Sequence, residues 1–283
     1  MAKQLHKYEY EVKANSAPSK VVRMVGANKR VLELGSGPGM ITRLLKGNSC
    51  RVVALELDEK AIELVAPHCE SVHACDLNDP TWPETVKDSD KFDVIVAGDV
   101  LEHLYNPWQT MSKLEALLAN GGCVVLSLPH VGHNAVIACL LASDFGYQPW
   151  GLLDKTHIRF FCIKNMQQLF NDAGLKIIEV DYVVKTPEQT EFAQQWRRLS
   201  SATKSALGSN KFGTVYQVVI KAVPNAAPGN GLQLAAQPVP PPIASSFSNG
   251  AKGNPVLGYL ISFLSLNTRH RIAQFLARMG IRL

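Results

Sequence analysis

The chain has 283 residues, 46% hydrophobic and 19% charged, with a formal net charge of +5; this length can bury a large core, and the composition excludes collagenous, disordered and disulfide-framework classes. Six cysteines (Cys50, Cys69, Cys75, Cys123, Cys139, Cys162) fall in no C-x-x-C or finger spacing and read as free thiols of a reducing cytoplasm. No apolar h-region opens the chain, no run reaches bilayer-spanning length, and Arg269, Arg271, Arg278 and Arg282 make a local basic face instead of a nucleic-acid surface.

Residues 1–29 are polar and aromatic, with Tyr8 and Tyr10 among acids and a helical Ser19–Val25 segment. They form a lead-in that either packs beside a ligand cleft or caps a sheet. The next stretch, Arg30–Leu45, passes from β-branched and apolar residues through Gly35, Gly37 and Gly39 into helix formers, which predicts strand, tight turn and helix. Glycines at alternate positions remove side chains where a ligand approaches backbone, and the helix opening near Met40 aims free N–H groups at it. The dinucleotide fingerprint fits less well, because Met40 stands where its third glycine belongs.

Arg51–Asp58 is a buried-type strand ending in acids. Glu56 stands where a carboxylate accepts both hydroxyls of a ribose, and Asp58 is placed to cap the following helix. A third strand, Ser71–Leu77, carries Asp76 at its end; a fourth, Phe92–Asp99, runs into Val100-Leu101-Glu102-His103-Leu104; a fifth, Gly121–Pro129, follows a helix over Trp108–Leu118. From His130 to Phe161 periodicity weakens and aromatic and histidine residues accumulate around an apolar helix near Val136–Leu141, which marks a substrate lid. A helix over Ile163–Ala173 stops at Gly174, and strands over Leu175–Val183 and Thr214–Val223 pair antiparallel across the excursion Lys185–Lys211. Alternating strands and helices predict a parallel sheet covered on both faces, with ligands beyond the strands' carboxyl ends.

Asn225–Asn254 is rich in Pro, Ala, Gly, Ser and Asn, and reads as a linker over 224–255. The final segment, 256–283, begins with the short apolar run Val256–Leu264 and continues into a helix with Ile272, Phe275, Leu276 and Met279 on one face and Arg271, Gln274 and Arg278 on the other. Such a tail lies on the inner membrane face, docks a partner enzyme, or packs back on its own domain.

The Gly35-x-Gly37-x-Gly39 loop resembles motif I of the class I S-adenosylmethionine-dependent methyltransferases. Asp99–Leu104 together with Leu153–Phe161 is similar to a bacterial branch of that family associated with glycosyltransferases and cell-surface polysaccharides, and more distantly to ubiquinone-biosynthesis O-methyltransferases and small-RNA 2′-O-methyltransferases. The likeness covers about residues 8–223, and His130 departs from the Asn usual after the fifth-strand proline. It implies a Rossmann-like α/β fold, a seven-stranded mostly parallel sheet with an antiparallel last strand, over residues 1–223, with the lid at about 130–161. It implies S-adenosyl-L-methionine as cofactor, held by Glu33, Gly35, Ser36, Gly37, Gly39, Glu56, Leu57, Asp76, Leu77 and Asp99, with Asp76 meeting the adenine amine. The acceptor expected from it is a sugar hydroxyl of a glycan or small molecule, with an RNA 2′-hydroxyl, a quinone-type phenol or a non-catalytic docking subunit as alternatives. Nucleic acid is the less expected partner. A glycosyltransferase or a membrane surface would be met through the tail, which makes the protein cytoplasmic or peripheral to the inner membrane.

Asp99, Glu102 and His103 are spaced i, i+3, i+4, so a helix starting at the end of the fourth strand puts them on one face. The RNA-methylating relatives imply that Asp99, Glu102, His103 and His157 hold a divalent cation such as Mg²⁺. His103 or His157 acting alone as general base is the metal-free alternative, and a plain capping box at Asp99 and Glu102 is the structural one.

Overall fold

A computed structural model describes residues 15–242. The expectations for Tyr8 and Tyr10, for the linker beyond 242 and for the tail over 256–283 lie outside the described residues. Ser16 accepts a hydrogen bond from Ser19 and caps helix α1 (Ala17–Val25), whose apolar face lies on the sheet, so this part of the lead-in serves as a sheet cover. Strand β1 (Arg30–Leu34), helix α2 (Met40–Gly47), β2 (Arg51–Glu56), α3 (Glu59–Val65), β3 (Ser71–Ala74) and β4 (Phe92–Gly98) then alternate, and Asp58 caps α3 through the Ala61 amide. Helix α4 (Pro107–Met111) is shorter than expected and gives way to a single 3₁₀ turn, Glu115–Leu117, before β5 (Leu118–Pro129). Helices α5 (Asn134–Leu141) and α6 (Ile163–Asp172), strand β6 (Leu175–Val184), helices α7 (Ala193–Arg198) and α8 (Ser201–Leu207), and strand β7 (Val215–Pro224) complete the domain.

The seven strands lie in the order β3-β2-β1-β4-β5-β7-β6, and β7 runs antiparallel to both β5 and β6. Successive strand residues feed opposite faces: Leu32, Val53, Ile95 and Val124 enter one core, while Val31, Val52, Val94 and Val125 enter the other. Both cores are therefore closed, one by α1, α2 and α5 and the other by α4 and α6, as the near-continuous apolar strands require. Leu34 pairs with Leu55 on one side and Ala97 on the other, which brings the ends of β1, β2 and β4 to one level. Strand order reverses between β1 and β4, the position where open α/β sheets bind ligands.

The expected linker does not begin at 224. Lys176 Nζ donates to the carbonyls of Asn225, Ala227 and Gly229, the Leu232 amide donates to Ile177 O at 2.7 Å, and Leu234 is fully buried against the α6 side of the core. Composition alone undercounted this segment, because a few side chains, Leu232, Leu234 and Val239 on the core and Lys176 on its carbonyls, lay it along the open edge of β6. Among the described residues no helix is long and apolar enough to cross a membrane.

Candidate active site

The loop between β1 and α2 places its three glycines in the left-handed region, at φ +62, +52 and +84 for Gly35, Gly37 and Gly39. Their reasons differ. A Cβ on Gly35 would lie 2.8 Å from Val100, and one on Gly39 2.8 Å from Val65, whereas one on Gly37 would point into open space. Of the three only Gly37 is left bare; the other two are small because protein packs on them. Glu56 Oε2 accepts the Gly37 amide at 2.7 Å while Oε1 accepts the amides of Leu57 and Asp58, so this carboxylate fixes the loop at the end of β2. Exposed Leu57 stands beside it, and the Ser36 hydroxyl is buried without a partner. Asp76 Oδ1 accepts from Asn78, whose own side-chain oxygen accepts the Tyr105 amide, and Leu77 is buried below.

Glu33 is buried between β1 and α2, where Thr42 Oγ1 donates to it at 2.6 Å. Burial pushes its carboxyl up to about 7 from an ordinary 4.5, with the Thr42 bond opposing. A raised carboxyl pKa favours the folded state while the proton is held and costs stability as it leaves. Thermal stability should therefore fall as pH rises from 4.5 through about 7, and Glu33→Gln, which keeps the Thr42 bond, should flatten that slope in melting curves taken across the interval. A parallel slope in the variant would remove Glu33 as the cause.

The helix expected to carry Asp99, Glu102 and His103 on one face is only a 3₁₀ turn over Leu101–His103. Asp99 lies outside it at φ +54, and its carboxylate accepts from Ser127 Oγ at 2.8 Å and Gln217 Nε2 at 2.7 Å. That corrects the four-residue metal set: Asp99 is turned toward β5 and β7. Glu102, His103 and His157 do converge, with ligand atoms within 4.8 Å of one another. His103 Nδ1 donates to Thr156 O at 3.1 Å and His157 Nδ1 to Leu152 O at 3.4 Å, which leaves Nε2 of each ring as a lone-pair donor. The Glu102 carboxyl group is fully buried, with its own main-chain amide beside it and no hydrogen-bond partner from another residue; His157 Nε2 stands 3.9 Å from Oε1. Burial and the nearby Asp99 hold the Glu102 carboxyl well above its ordinary value, and burial lowers His157 to about 4. A buried carboxylate with no partner from another residue beside two imidazole lone pairs suits a divalent cation, and this donor set fits one. Val100, which closes on Gly35, starts the turn that carries this cluster, so loop and cluster are adjacent.

Of the lid histidines only His157 reaches the cluster. His130 donates to Val215 O and His133 to Lys185 O, and burial lowers both to about 4, so they are structural. Around the cluster Tyr105, Trp108, Ile158 and Phe160 are exposed, and Phe160 packs edge-on against Phe145, which meets Tyr147 in turn. Arg159 holds this rim together by donating to Tyr105 O and lying over the Trp108 ring. Sequence reasoning missed Ser127 and Gln217, because nothing local marks two residues that meet only through the pairing of β5 with β7.

Residues 6–180 match the Methyltransferase domain family. The chain belongs to this family. The methyltransferase is 23% identical over 168 residues to a ubiquinone biosynthesis O-methyltransferase of Coxiella burnetii, covering 58% of this chain and 70% of that one. It is 25% identical over 158 residues to the Aromatoleum aromaticum enzyme of the same name, covering 54% and 67%. In fold it resembles an S-adenosylmethionine-dependent methyltransferase from Thermotoga maritima at TM-score 0.51 and 16% identity, over 74% of this chain and 88% of that one. It is thus an S-adenosylmethionine-dependent methyltransferase with the seven-stranded Rossmann-like fold of that class.

Proposed function

We propose that this methyltransferase acts on a hydroxyl oxygen of a phenolic, quinone-precursor type of acceptor, and that Glu102, His103 and His157 hold a divalent cation beside it. The observation that carries the reading is the buried Glu102 carboxyl group, with no partner from another residue, converging with the His103 and His157 rings near exposed aromatic and aliphatic side chains. A planar apolar acceptor buries more of that rim than a polyhydroxylated sugar does, and the relatives named for ubiquinone biosynthesis point the same way.

S-adenosylmethionine, when bound, supplies an electrophilic methyl group, and a divalent cation orients the acceptor hydroxyl and makes its proton easier to lose. The chain's part is to place them. In this reading Gly37 leaves room against the glycine loop, Glu56 and Asp76 mark the ribose and adenine ends, and Glu33, Ser36, Leu57 and Leu77 are the neighbours proposed to hold the same cofactor. Asp99, fixed by Ser127 and Gln217, lies at the end of β4 just before the turn that carries the cluster. The sugar-hydroxyl reading draws on the lid sequence Leu153–Phe161, and the tail over 256–283 is the segment proposed to reach a membrane surface or a partner enzyme.

Exhaustive EDTA treatment should abolish transfer to a catechol, with recovery on adding Mg²⁺, Mn²⁺ or Co²⁺. Activity that survives chelation removes the cation and leaves the half-buried His103 as general base. Parallel assays with a monosaccharide and a nucleoside decide the acceptor, since faster transfer to either one overturns the phenolic reading.

A further inference from the structure

The lid residue that matters most to the cluster is held from a distance. His157 Nδ1 donates to Leu152 O, and the Leu152 amide donates to Glu191 Oε1 at 2.7 Å. Glu191 is itself gripped by the Tyr216 hydroxyl, 3.2 and 3.1 Å from its two oxygens. Glu191 belongs to the excursion between β6 and β7, far in sequence from both the lid and the cluster. Leu152, Leu153 and Phe192, the residue after Glu191, are buried in one apolar cluster, so the whole clasp is packed as well as hydrogen-bonded. Gly151 leaves the opening for it: at φ +93, a Cβ there would stand 2.1 Å from Glu191 Oε1.

We propose that Glu191 is a positioning residue for His157, acting through the two main-chain polar groups of Leu152. The proposal rests on the reading of His157 as part of the reacting site. A carboxylate at this place accepts Leu152 N–H and, together with the buried Leu152 side chain, anchors this residue's backbone so that its carbonyl stays aimed at His157. That carbonyl takes the Nδ1 proton of His157, which commits the ring to the tautomer with its Nε2 lone pair toward Glu102. The excursion thus sets the geometry of a histidine it never touches, and Tyr216 keeps the carboxylate from swinging away.

The test uses the full chain labelled with ¹⁵N-histidine. In Glu191→Ala, kcat for methyl transfer should fall about 10–100-fold, the loss typical when the partner that orients a ligand is removed. S-adenosylhomocysteine affinity should stay at the wild-type value, and the His157 ring nitrogens should lose the Nδ1–H signature. Glu191→Gln, whose side-chain oxygen can still accept Leu152 N–H, should recover most of the lost turnover and the signature. Wild-type kcat with an unchanged His157 spectrum in Glu191→Ala overturns the proposal, as does a glutamine variant no better than alanine. Should Glu191→Ala not fold, Tyr216→Phe carries the same test, with a smaller change in the same two readouts expected and none overturning it. His157→Ala at wild-type turnover would sink the reading of the site, whereas the ring spectrum in Glu191→Ala still decides the clasp on its own.

Discussion

In Glu102→Leu, methyl transfer should drop by at least about 10²-fold while the metal-free protein melts at a higher temperature than wild type. Both Glu102 oxygens are buried with no partner from another residue, so the folded chain carries a polar group that water solvated before folding. Leucine fills a similar volume and has nothing to desolvate. A buried polar group left without partners costs about 1–3 kcal/mol, which the leucine does not carry. In a domain of this size that is about 2–4 °C for each kcal/mol. Glu102→Gln should be equally inactive and gain little, because its amide inherits the unpaired site. Calorimetry in EDTA checks the pair; a leucine variant that melts lower than wild type would mean that the carboxylate is satisfied where it stands. The sign matters because a residue kept solely for packing would lose stability on replacement.

Gly37→Val should weaken S-adenosylhomocysteine binding by on the order of 10²-fold, as expected when displacement breaks one or two charge-assisted hydrogen bonds of about 1.5–3 kcal/mol each. Its Cβ meets no protein atom within 4 Å, so the branched side chain would occupy the space left for a ligand. The left-handed φ of +52 adds about 1–2 kcal/mol of strain to the fold, which a melting curve reads separately. Gly39→Val offers the contrast. Its Cβ would strike Val65 at 2.8 Å, so stability should fall first and binding only with it. Calorimetric titration of both variants separates the two effects, and wild-type affinity in Gly37→Val would move the cofactor away from this loop.

The order of strands and helices was legible because apolar runs such as Arg51–Glu56 and Phe92–Gly98 are bounded by turn residues, and the glycine loop announced its own strand and helix. Glu102, His103 and His157 were legible through family likeness, and the structure brings them together. Asp99 misled because spacing assumes a helix, whereas a left-handed residue at the end of β4 turns its carboxylate toward Gln217. No local pattern reports that turn. Ser127, Gln217 and Glu191 depend on β7 lying beside β5 and on the excursion folding over the lid, relations between segments far apart in the chain. Leu234 was hidden differently: two leucines in a Pro- and Ala-rich stretch carry no extended periodicity, although Leu234 is buried and Leu232 packs beside it.

The place of β7 between β5 and β6 has a consequence for synthesis on the ribosome. β1 to β5 can pair as soon as they emerge, but the outer edge of β5, where Leu126 will face Ile220, has no partner until Val215–Pro224 has been translated. For that interval the nascent chain displays an apolar, unpaired strand, the kind of edge that recruits chaperones or other growing chains. Among the described residues, the last strand to be made is therefore the one that joins β6 to the rest of the sheet.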